Sequence, residues 1–133
     1  MTGAWDDIAT AFERSKQGVD TLSEFDRDLY WIGCFVTEYE QGGLLYNWCD
    51  DRETFQAVIA ATRRRGLIEL SEIVVMIDAI LQPTARLWAE NQAMTWGDMQ
   101  KLIDPTDQLG ELQRRIDSLS NFGIPDKWRE ILH

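Results

Sequence analysis

Apolar residues recur every three or four positions along most of this chain, the spacing of one buried face of an α-helix. Trp5, Ile8 and Phe12 stand at i, i+3 and i+7 and predict a first helix that ends near Gly18. Thr21, Leu22, Ser23 and Glu24 read as a capping box for the second. From there Leu22, Phe25, Leu29, Ile32, Val36 and Tyr39 form one continuous stripe, with Trp31, Cys34 and Phe35 outside it. A helix that is apolar on more than one side packs between neighbours, so this one is the predicted buried central helix. Asp50 with Glu53 suggests the cap of a third, whose inward face is Phe55, Val58, Ile59 and Thr62 and whose end is Gly66. Leu67, Leu70, Val74, Ile77 and Leu81 mark a fourth, terminated by Pro83.

The later pattern is shorter-ranged. Leu87 and Trp88 belong to a fifth segment, and Thr95 with Asp98 caps a sixth carrying Met99, Leu102 and Ile103. Asp104-Pro105 starts another, with Leu109, Leu112, Ile116 and Leu119 along one face, and a last turn at Pro125 carries Trp128, Ile131 and Leu132. There is no sustained alternation and no Asn-Gly or Asp-Gly hairpin turn. The expected fold is all-α: a single domain over 1–133, built as a bundle of about six or seven helices with short connections.

Composition adds a bias in charge. The net charge is −10, and residues 1–51 hold eleven acids against Arg14, Lys16 and Arg27, a net −8. Residues 52–66 reverse the sign to +3, and residues 67–133 return to −5. Such a chain repels free nucleic acid and anionic membrane and attracts basic proteins. No apolar run reaches the ~20 residues of a membrane span, and Asp6 and Asp7 stand where a signal peptide would be basic, so a cytoplasmic location is expected. Cys34 and Cys49 lack CxxC spacing and a nearby histidine, which argues against zinc and for two reduced, core-packed thiols.

The segment Glu38 to Trp48, EYEQGGLLYNW, joins the long apolar helix to two glycines and an aromatic-amide tail. Gly42 or Gly43 can take the left-handed conformation that closes a helix. The stretch resembles the signature of a small bacterial domain family whose best-known member is an acidic DNA-mimic protein. Glu38 corresponds to the family's acid, Gly42 and Gly43 to its glycines, Leu44 to its apolar position, and Asn47-Trp48 to its amide-aromatic tail. Gln41 stands where the family has Asn, and Tyr46 near its Gln. The resemblance spans roughly 25–120. It implies a helical domain that inhibits a DNA-binding protein through carboxylates placed like backbone phosphates.

Carboxylates at i and i+4 on a helix stand about 6 Å apart, comparable with phosphates along one strand. Asp20, Glu24 and Asp28 have this spacing, and Asp26, Glu38, Glu40, Asp50 and Asp51 add charge nearby, which makes these eight the candidate partner-binding residues. Glu24, Asp28, Trp31, Phe35 and Glu38 also share one helical stripe that mixes acids with aromatic anchors. The plainer reading is that Asp20, Glu24, Asp50 and Asp51 complement helix dipoles, that Trp31 and Phe35 face a packing neighbour, and that Gly42-Gly43 only positions two helices. Arg63, Arg64 and Arg65 read as dipole partners or salt-bridge donors rather than as a nucleic-acid patch.

Catalytic residue types are scarce. His133 is the only histidine and is the final residue, so Ser-His, Cys-His and HExxH sites are absent, as is a Gly-rich phosphate loop. The reading is a non-catalytic acidic binding protein, without cofactor or metal, whose partner is a basic protein: a DNA-binding protein or, alternatively, a nuclease toxin neutralised by an immunity protein. An exposed Trp31 or Phe35 would serve equally as a homodimer face.

Overall fold

The structure, a computed structural model, describes residues 3–41, 52–90 and 93–126. Seven α-helices and no strand lie among the described residues: α1 Ala4–Ser15, α2 Glu24–Glu40, α3 Arg52–Arg64, α4 Ile68–Leu81, α5 Thr84–Glu90, α6 Trp96–Ile103 and α7 Gln108–Ser118. Single 3₁₀ turns at Val19–Thr21 and Ser120–Gly123 complete it. The all-α bundle expected from the periodicity is the observed fold. Asp50, Asp51, Gly42, Gly43, Asn47 and Trp48 lie outside the described residues, as does the last turn carrying Trp128, Ile131 and Leu132.

Helix α2 packs against α1 on one side and α3 on the other, α3 packs on α4, and α4 also meets α7. Leu29, Ile32, Phe35 and Val36 of α2 are buried, while Glu24, Thr37 and Glu40 keep an exposed edge. Phe35 is thus a core residue and supplies no surface anchor, because it faces the same side of α2 as Ile32. On α1 the buried residues are Ala4, Ile8 and Ala11, and Trp5 sits at the rim with its indole N–H donating to Asn121 Oδ1. The small residue at this crossing is Gly33 of α2, which faces Ile8 and Phe12 of α1. A Cβ at Gly33 would lie 2.6 Å from the Phe12 ring and 2.7 Å from Ile8 Cγ2, so the α1–α2 crossing closes only where α2 has no side chain.

Local chemistry sets the helix ends. Ser23, not Thr21, caps α2: its hydroxyl accepts from the Asp26 N–H at 3.2 Å, while Thr21 closes the preceding 3₁₀ turn. The α3–α4 corner is a Schellman turn, with Leu67 N–H to Thr62 O and Gly66 N–H to Arg63 O. Gly66 has φ of +81°, which a side chain would strain, and Leu67 buries itself behind it. Thr95 caps α6 as its spacing predicts, accepting from Asp98 N–H at 3.1 Å. At α7 the cap is Asp107, and Asp104 reaches in from three residues earlier. Its two oxygens accept from the Gln108 and Leu109 N–H groups at 2.7 and 2.8 Å, so both carboxylates serve the positive end of the helix.

Candidate functional site

Six of the eight candidate acids fall among the described residues, and the fold divides them. Asp26 and Asp28 turn inward, against the expectation that they form part of an outward face. Asp28 has no exposed surface. Arg64, at the end of α3, holds it bidentately, its Nε lying 3.1 and 3.0 Å from the two carboxylate oxygens and its Nη2 donating to Oδ1. Arg65 Nε stands 3.1 Å from Asp28 Oδ2, near enough for charge attraction though out of line for a hydrogen bond. Asp26 accepts from Arg14 of α1 at 2.6 Å. The physical reason is cost: a carboxylate on a packed helix face must be paired or forfeit several kcal/mol. Arg64 is shifted further upward from its ordinary value, first by the hydrogen bond to Asp28 and only partly offset by burial. These pairs tie α1 and α3 to α2 and are structural.

The others remain outside. Asp20 and Glu40 are exposed, Glu24 is exposed with its carboxylate 3.7 Å from Arg65, and Glu38 is half-buried. The stripe of Glu24, Asp28, Trp31, Phe35 and Glu38 is therefore no single surface, since its second and fourth members are core. Arg65 also stacks its guanidinium over the Phe25 ring at 5.3 Å, so Arg64 and Arg65 are spent on internal contacts while Arg63 is exposed.

On the flank of α2, where Tyr30, Cys34 and Glu38 follow at four-residue intervals, a pocket of about 290 Å³ opens. Trp31 lines it from α2, Phe12 from α1 and Thr54 from α3. Tyr30 meets Phe12 edge-on at 5.3 Å and Trp31 at 5.1 Å, the planes inclined by 68° and 74°. Burial pushes the Cys34 thiol above its ordinary value, the Tyr30 hydroxyl opposing the shift and the Glu38 charge adding to it, so Cys34 stays neutral and is a poor nucleophile. Gly33 underlies this arrangement, because the close crossing that it permits brings Phe12 beside Tyr30.

At the far end of α2, the Tyr39 hydroxyl donates to Asp117 Oδ1 at 2.6 Å, with the Gln113 carbonyl 3.1 Å away, and its ring stacks on Phe35 and meets Phe122 edge-on. Burial, followed by the bond to Asp117, raises its pKa well above the ordinary tyrosine value. Sequence reasoning missed the pocket and the Asp28 clasp. Helical spacing puts Asp28 on one core-facing line with Ile32 and Phe35, a signal that Asp28 is buried, but it names neither Arg64 as the partner nor the pocket. Among the described residues no three His, Cys, Asp or Glu side chains gather as a metal site, and no helix is long and apolar enough to cross a membrane. No protein-family model, curated protein or solved structure matches the chain.

Proposed function

We propose that this protein is a non-catalytic acidic binding protein that docks on the basic surface of a nucleic-acid-binding partner, in the manner of a DNA mimic. One observation supports the reading: the ion pairs among the described residues neutralise cations and anions one for one, so they leave the chain's net negative charge uncancelled. Arg14, Lys16, Arg64, Arg65 and Arg114 are all engaged with carboxylates of this same chain. Asp20, Glu24 and Glu40 are exposed on and beside α2, and Glu38 is half-buried. Asp26 and Asp28 contribute rigidity instead, holding α2 so that those charges keep a fixed spacing. A fixed array loses less entropy on docking than a mobile one.

The test is retrieval of a basic partner from the native cytoplasm with the purified protein as bait, followed by competition with duplex DNA. Release by DNA and steep weakening between low and physiological salt are expected, since the attraction is mainly between charges. The variant combining Asp20→Asn, Glu24→Gln and Glu40→Gln should lose the partner while keeping its unfolding midpoint. Recovery of no basic protein, or binding indifferent to both salt and DNA, would refute the reading.

A further inference from the structure

We infer that the outward face of α4 docks an amphipathic helix of a partner protein, one that carries cations beside its apolar stripe. Only Glu69, Ser71, Glu72 and Asp78 interrupt the apolar sequence of α4. The fold buries Ser71 and Asp78 and leaves Ile68 53% and Met76 43% exposed, the reverse of what a helix facing only solvent requires. Ala79 is exposed beside them, and Val75 is half-buried. Ile68, Glu72, Val75, Met76 and Ala79 stand at i, i+4, i+7, i+8 and i+11, so they form one stripe about 17 Å long. Helices α3 and α7 pack on α4 elsewhere and leave this stripe open. At its Ile68 end lies a cavity of about 230 Å³ bordered by Leu70, Leu119 and Phe122, smaller than most small-molecule sites and suited to a single apolar side chain. Contiguous apolar surface marks a protein-binding face, and a stripe with helical spacing matches the ridges of another helix.

Charge selects the occupant. Glu69, at the mouth of the cavity, and Glu72, on the stripe, are exposed and form no ion pair among the described residues. Further along stands Arg115 of α7, its Nη1 3.5 Å from the Met76 sulfur. The complementary helix therefore carries Lys or Arg toward the Ile68 end and accommodates an acid near Met76. A second copy of this chain fits less well, because two molecules of net charge −10 repel each other. The stripe shares no residue with the acids of the proposed function, so either surface can fail without the other.

The probe is a synthetic helix of leucine, alanine and lysine, with leucines on one face and lysines along its edges, titrated against the full ¹⁵N-labelled chain. Saturable shifts are expected at the Ile68, Glu72, Met76 and Ala79 amides. A peptide of the same composition, scrambled so that its leucines share no face, should bind at least about tenfold more weakly. Ile68→Gln and Met76→Gln change exposed side chains, and each should weaken the designed helix by about fivefold with the urea midpoint unchanged. Glu69→Gln combined with Glu72→Gln should weaken it by about threefold. The combination of Asp20→Asn, Glu24→Gln and Glu40→Gln removes more charge elsewhere and should leave the affinity within about twofold. Equal weakening by that combination, equal binding of the scrambled peptide, or no shift on this stripe overturns the proposal. Where a variant unfolds, the shift map of the unaltered chain decides. Sedimentation equilibrium of the protein alone adds a last arm: a dimer that Met76→Gln dissociates would give the face to a second copy and overturn the proposal as well.

Discussion

Replacing Asp28 by Asn tests whether the central acid of α2 is structural. The substitution keeps the shape and one acceptor for Arg64 but removes the charge that two guanidinium groups share. Breaking a buried pair by deleting one partner costs about 3–5 kcal/mol, because the remaining charge is stranded in low dielectric. That figure needs reducing here. The Arg64 side chain is 43% exposed and can rehydrate, whereas Arg65 is only 11% exposed and is left with the looser contact to Glu24 and the face of Phe25. A loss of about 2–4 kcal/mol follows, with Arg65 as the main source. Urea denaturation followed by far-UV circular dichroism measures it. With a slope of about 2 kcal/mol per molar, the midpoint should fall by roughly 1–2 M. Asp20→Asn, at an exposed position, should leave the midpoint in place. A cycle with Arg65→Met should recover part of the loss, because no stranded cation then remains. If Asp28→Asn moved the midpoint no more than Asp20→Asn does, the carboxylate would be solvent-facing and the clasp between α2 and α3 would be wrong.

Gly33→Ala should destabilise despite a helix-propensity gain of about 1 kcal/mol, since overpacking against Ile8 and Phe12 costs about 1–3 kcal/mol; a rise in the thermal midpoint would refute the close crossing. The Tyr39 contribution should be intact below pH 10.0, the ordinary tyrosine value, and should decline as pH rises above it, because the unfolded chain ionises there and the folded one resists. Tyr39→Phe should flatten that alkaline slope in pH-dependent urea melts and should cost about 1 kcal/mol at neutral pH. In a Cys49→Ser background, Cys34 should react with a thiol reagent at pH 8 more slowly than a free cysteine, as its raised pKa and half-burial require; labelling at the free rate would contradict both.

Helix spacing was legible because each helix has an apolar face that must be hidden. The lines through Leu29, Ile32 and Val36, through Phe55, Val58 and Ile59, and through Leu70, Val74 and Ile77 went to the core as their periodicity required. Thr95, Gly66 and Pro83 marked boundaries for local steric and hydrogen-bonding reasons that need no tertiary partner. Charge was less legible. Asp20, Glu24, Asp26 and Asp28 look alike in sequence, yet two are surface groups and two are internal clasps.

What the chain determined by itself is therefore the class of fold, the helix boundaries at Gly66, Pro83 and Thr95, and the total negative charge, since these depend on spacing, backbone geometry and composition. Tertiary structure alone decided which carboxylates remain outside. Asp28 lies thirty-six residues from Arg64, and no local pattern encodes a contact made by bringing α2 against α3. The pocket has the same origin: it exists because α1 crosses α2 at Gly33 and sets Phe12 against Tyr30, an arrangement that spacing permits but only packing selects.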